Sequence, residues 1–211
     1  TNTMRIIADE SRLDGGNVLN GDNQYNINGK VSFDVGADGG TVTWDIENNW
    51  IVNDKDGIPT VNAITFTVNA QGSLVILQDQ SNDEDAPIEI ATISLDEDTG
   101  AYQYVQTDNI IHPAGNGEAK AVFELGFKVT DGDGDTVRSN LLLQVKDDAP
   151  VITNDISTVD EDSVQYIDVL NNDSIGSDAV STNPISITSA PIHGEAVIEL
   201  KDGKYQIKYT P

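Results

Sequence analysis

Three aspartates in five residues, Asp131, Asp133 and Asp135, alternate with Gly132 and Gly134 between Thr130 and Thr136. Carboxylates at alternate positions, separated by glycines that let the backbone turn tightly, can wrap several oxygens around one cation. Calcium takes roughly 6–8 oxygens, and no soft donor in this loop would favour zinc. The series opens like an EF-hand loop, but the closing Glu is absent and the flanks read as strands, so that motif is excluded. The competing reading is a solvated, Gly-rich hairpin turn.

Further acids fall into groups. Asp9 and Glu10 stand where the first strand region begins, and Asp147 and Asp148 where a long strand region ends. If the chain brings these ends together, calcium could neutralise them and stiffen a domain junction. Asp160, Glu161 and Asp162, with Asp155 and Asn171-Asn172-Asp173, could form a comparable site beyond it. Asp54 and Asp56 lie in Trp50–Pro59, and Asp83 and Asp85 in Gln78–Pro87, a loop longer than a hairpin requires. Loops of that kind on a rigid scaffold are where recognition tends to reside. Three groups, Asp34 with Asp38, Asp54 with Asp56, and Asp79 with Asp83-Glu84-Asp85, each read more simply as solvated charge than as a site.

Catalysis is poorly supported. A glycosidase needs one acid with a raised pKa and a second carboxylate at a fixed separation. With 36 acidic residues, pairing carries no information. His112 and His193 are remote from any Ser or Cys signature, and Cys is absent, so ordinary zinc or iron sites and disulfides are excluded. Against those acids stand 11 basic residues, a net charge of −25. Such a chain repels nucleic acid and anionic membranes and favours divalent cations as partners.

The elements that must hold these groups are strands. Hydrophobic residues make up 37% of the chain, in short alternating runs. Phe123, Leu125, Phe127 and Val129 share one face, and Val137, Leu141, Leu143 and Val145 share the next, with polar residues between them. This is the pattern of half-buried antiparallel strands. Similar runs occur at Val31–Val35, Thr41–Ile46, Ala63–Val68, Leu74–Leu77, Ile88–Leu95 and Ala101–Val105. Gly39-Gly40, Asp56-Gly57, Gln71-Gly72 and Thr99-Gly100 supply turns. No run has a helix period, and the expected fold is an all-β antiparallel sandwich stabilised by calcium.

The character changes at Asp147-Asp148-Ala149-Pro150, where a Leu-rich strand gives way to an acidic, proline-bearing linker. The expected domains are therefore residues 1–148 and residues 149–211. The second has strands expected near Val164–Leu170, Ile185–Ser189, Ala196–Leu200 and Tyr205–Tyr209, with Asp202-Gly203 suited to a type I′ turn. That is thin for an independent sandwich, so this domain is expected to be incomplete.

Residues 1–148 resemble the type I secretion-associated repeat domain of giant bacterial RTX adhesins. The resemblance rests on Asp9-Glu10-Ser11 with Leu13, Asp34–Thr43, Leu95–Tyr104, His112–Glu118, Val129–Thr136 and the closing Asp147–Pro150. Residues 149–211 resemble the cadherin-like tandem repeats of the same proteins, through Val159–Ser163, Asp168–Asp173, Pro191–Ala196 and Tyr205–Pro211. The resemblance implies a secreted, extracellular module on a bacterial cell surface, rigidified by several Ca2+ ions. Asp131, Asp133 and Asp135 are its implied calcium ligands, followed by the junction acids.

Some modules of such adhesins bind sugars, and some bind protein C-termini through calcium. Three features favour a ligand binder: Asp54-x-Asp56-Gly57, the acidic Gln78–Pro87 loop, and a partial domain in place of an identical repeat. The expected partners are a peptide or protein C-terminus or a glycan, together with neighbouring adhesin domains. Nucleic acid and membrane insertion are not expected, and the module is expected to be monomeric. The alternative is a non-binding extender.

Overall fold

The computed structural model describes residues 4–13, 25–46, 50–53, 64–79, 86–111, 119–176 and 184–211. The fold is all-β, as expected. One five-stranded sheet contains β1 (Arg5–Asp9), β3 (Gly40–Trp44), β4 (Trp50–Asn53), β9 (Lys120–Asp131) and β10 (Thr136–Lys146), ordered β1-β10-β9-β3 with β4 also paired to β9. The other contains β2 (Tyr25–Lys30), β5 (Ile64–Val68), β6 (Leu74–Gln78), β7 (Ile88–Leu95) and β8 (Ala101–Gln106), ordered β2-β8-β7-β6-β5. Their inner faces enclose one core, in which Phe123, Leu125, Leu141 and Leu143 from the first sheet meet Leu74, Ile76, Ile90 and Ile93 from the second. Phe66 and Phe123 touch edge to face across it, with centroids 5.7 Å apart.

The alternation read in β9 and β10 is real, but it does not end where the core ends. Leu141, Leu143 and Val145 are fully buried, whereas Val137, on the same face, is 71% exposed. The hairpin therefore runs past the edge of the core and carries an apolar inner face into solvent. Val31–Val35, expected as a strand, forms no ladder. Val31 N–H donates to the Gly100 carbonyl at 2.8 Å, and a 3-10 turn begins at Gly36.

Nearly every pairing is antiparallel. The exception is β1, which runs parallel to β10 in the register Arg5↔Leu142 to Asp9↔Lys146. A parallel pair places the downstream ends of both strands on the same side of the sheet. The chain segments after Asp9 and after Lys146 consequently emerge together.

Beyond β10 lies a three-stranded sheet, β11-β13-β12, made of β11 (Gln165–Ile167), β12 (Glu195–Lys201) and β13 (Lys204–Thr210). The Asp202-Gly203 turn has φ values of 53° and 79°, as a type I′ hairpin demands. Ile185–Ser189 forms no strand, and only Gln165–Ile167 of the expected Val164–Leu170 does. No described residue after Asp148 is fully buried, because three strands cannot enclose a core alone. Among the described residues, no helix is long and apolar enough to cross a membrane.

Candidate metal centre and adjoining cleft

The β9–β10 hairpin turn brings Asp131, Asp133 and Asp135 together. One carboxylate oxygen from each can be chosen so that all three lie within 4.8 Å of one another, and among the described residues no other group of three or more acids or histidines does so. Local hydrogen bonds fix the turn: Asp131 Oδ1 accepts from Gly134 N–H at 3.1 Å and from Asp135 N–H at 2.8 Å. Gly134 has φ 97°, a left-handed conformation that favours glycine. Gly132 is needed for a different reason, since a Cβ there would collide with the Asp38 carbonyl of the Gly36–Asp38 turn.

The electrostatics of this group suit a cation. The hydrogen bond between Asp131 and Asp133, reinforced by the N–H groups of Asp135, Gly134 and Asp133, holds Asp131 below the usual carboxylate range. The same bond, and then the charge on Asp131, pushes Asp133 up. The two carboxylates thus repel each other at close range, a repulsion that a divalent ion between them would relieve.

Beside the cluster opens a cleft of about 520 Å³ between β9–β10 and the chain leading to Gly36. Phe33, Val35, Phe127, Val129 and Val137 form its apolar walls, and Asp34, Asp131 and Asp135 also line it. Reading by residue type singled out the acids but not this cleft. Val31, Phe33 and Val35 carry a strand-like alternation, and only the fold reveals that Val31 enters the core while Phe33 and Val35 wall a cavity.

The parallel β1–β10 pair does unite the junction acids, but not as a gathered metal group. Glu10 is fully buried, and Asp147 and Asp148 are 5% and 6% exposed. Glu10 Oε1 accepts from Gln106 Nε2 at 2.8 Å and from Ile110 N–H at 2.7 Å, and Tyr104 donates to Gln106 Oε1 at 2.8 Å. Asp9 caps the Glu10–Arg12 turn through Ser11 and lies 3.9 Å from Lys146 Nζ. Asp148 packs on the following segment: a Cβ at Gly176 would come within 2.7 Å of its Oδ1. That segment is tied back by the Val151↔Ser174 bridge and by Thr153 N–H donating to Asp173 Oδ1 at 2.8 Å.

Asp160 and Glu161 are exposed and join no such group; the Asp160 carbonyl accepts from Ser163, and Asp173 is engaged with Thr153. Asp54, Asp56, Asp83 and Asp85 lie outside the described residues. Gln78 and Gln106, both fully buried polar residues, carried no sequence signal. Gln78 Oε1 accepts from Ile111 N–H at 3.0 Å, so both glutamines brace the chain around Ile110 and Ile111.

Residues 147–211 match the family model of the bacterial Ig domain. That stretch contains the three-stranded sheet and begins at the buried Asp147. No curated protein and no solved structure matches the chain.

Proposed function

We propose that this chain is a calcium-dependent ligand-binding module of a bacterial RTX-type surface adhesin, secreted and extracellular, with a binding domain at residues 1–148 and a partial cadherin-like domain at residues 149–211. The observation that carries this reading is the convergence of Asp131, Asp133 and Asp135 on one exposed turn. Three carboxylates and nearby carbonyls fill only part of a calcium shell, which leaves positions for a ligand oxygen. A carboxylate at the end of a peptide fits such a position, because the ion inverts the local sign of an otherwise repulsive surface. The role is binding and not catalysis. The bacterial Ig likeness of residues 147–211 agrees with a surface module.

The test is an array of peptides with free C-termini and of glycans, probed in calcium and in EDTA. A set of hits that vanish in EDTA is the expected result. Undiminished binding in EDTA would sink the metal-mediated reading.

A second reading is favoured by the burial of Glu10, Asp147 and Asp148 where the two segments meet. There the chain is an extender whose calcium ions stiffen the joint. A blank array from protein shown to be folded in calcium would select it.

A further inference from the structure

The cleft beside the aspartate turn has a chemistry of its own. Its walls are apolar, and Val137, on the open side, is 71% exposed. Three carboxylates, Asp34, Asp131 and Asp135, line it, and no Lys, Arg or His does so among the described residues. Asp34 uses Oδ1 to accept from Gly36 N–H at 2.9 Å, which fixes the carboxylate in place. The nearest basic side chain along β10, Arg138, is committed to Asp45 at 2.6 Å.

An apolar cavity lined by unneutralised carboxylates complements one kind of guest: an apolar body carrying a positive head. We infer that this cleft binds an amphipathic cation directly, as a bulky apolar group joined to an ammonium or guanidinium, and that calcium opposes this binding. The apolar part lies against Phe33, Val129 and Val137, and the cation meets Asp34 and Asp135. Calcium in the turn would draw on Asp131 and Asp135, so the two guests compete for the same charge. Linkage makes the effect reciprocal: the cation must weaken calcium binding by the factor that calcium weakens its own. The inference does not require the calcium-bridged carboxylate proposed above, and it concerns a ligand of opposite charge.

The whole chain is titrated with phenethylamine, 3-phenylpropionate and 2-phenylethanol, each in EDTA and in calcium, and followed by backbone and methyl NMR. The expected result is saturable shifts at Val35, Val129 and Val137 with the amine in EDTA, at least about tenfold tighter than with the carboxylate. Calcium should raise the apparent Kd of the amine. Asp34→Asn should weaken the amine without lowering the melting temperature, and Val137→Ser should weaken the amine and the alcohol alike. Equal binding of amine and carboxylate in EDTA, or shifts that map away from the cleft, overturns the inference. Binding of the carboxylate alone, and only in calcium, overturns it while leaving the proposed adhesin function standing.

Discussion

Asp9 stands opposite Lys146 in the parallel ladder of β1 and β10, so Glu10 and Asp147 leave neighbouring strands side by side. The sequence raises a meeting of these two acidic pairs at a domain junction but not the ladder that brings it about. It follows from the direction of β1 alone, because an antiparallel first strand would place Glu10 at the far end of the sheet. Glu10, Asp147 and Asp148 are all buried at this end of the sheet, at the threshold of the next segment.

The first prediction concerns calcium and stability. An ion bound only by the folded state contributes RT ln(1 + [Ca]/Kd), about 2.7 kcal/mol at a hundredfold excess over Kd. Melting temperature should therefore fall on adding EDTA, and Asp133→Asn should shrink the calcium-dependent part. Calcium uptake in acid, where Asp133 is partly protonated, should also release protons, since its bond to Asp131 pushes Asp133 above the ordinary 3.8. Calorimetry in buffers of different ionisation enthalpy reads that release directly. A melting temperature indifferent to chelation would contradict the assignment.

Glu10 gives a second prediction, separate from the metal. Its Oε1 satisfies Gln106 Nε2 and the Ile110 N–H inside the protein. Glu10→Ala strands both donors, and the expected loss is about 2–4 kcal/mol in urea unfolding. Gln106→Ala should also destabilise, since it leaves the Tyr104 hydroxyl without its acceptor and takes one donor from the buried Glu10. Equal stability of Glu10→Ala and wild type would show that the network contributes nothing.

The third prediction is a pH dependence confined to the last sheet. The hydrogen bond from Lys208 at 2.8 Å, helped by Tyr166, holds Glu199 below its ordinary 4.5. Because the folded value is depressed, the stabilisation is complete above 4.5 and disappears as pH falls through the lower folded value. Lys208 is raised above 10.5 by the same bond, so its share is complete below 10.5 and is lost as pH rises through the higher folded value. Carboxyl NMR of Glu199 should show the depressed titration, and Lys208→Met should return it towards 4.5. An unshifted wild-type titration would dismiss the pair.

Gly132→Ala tests the turn geometry. The added methyl has no room against the Asp38 carbonyl, so the turn must move away from Gly36–Asp38. Calcium affinity should drop about tenfold or more, with the core of the sandwich intact by circular dichroism. Unchanged affinity would show that the turn's seat on Asp38 is immaterial.

The long hairpin was legible because its two strands alternate cleanly on either side of a turn-forming run, and Asp202-Gly203 was legible because a type I′ turn admits few residues. Val31–Val35 misled because alternation reports which side chains are buried, not whether the backbone pairs. Val31 is fully buried, yet its N–H is satisfied by Gly100 and not by a neighbouring strand. The aspartate turn could be read since its three carboxylates are near in sequence. The burial of Glu10 could not, because a carboxylate is expected outside, and its partners Gln106 and Ile110 lie about a hundred positions away. The cleft was hidden for the same reason: Phe33 and Val137 meet only through the fold.

The parallel β1–β10 pair also decides how the sandwich carries tension. In a parallel pair, the entry of one strand and the exit of the other point in opposite directions. A pull on the flanking chain therefore runs along both strands and slides one past the other. The five-residue register from Arg5↔Leu142 to Asp9↔Lys146 must yield as a unit, with Ile6 and Ala8 dragged from the core at the same moment. An antiparallel pair at this position would instead open from one end like a zipper, one bond at a time. The direction of one short strand thus makes the sandwich a link that resists being drawn out along its length.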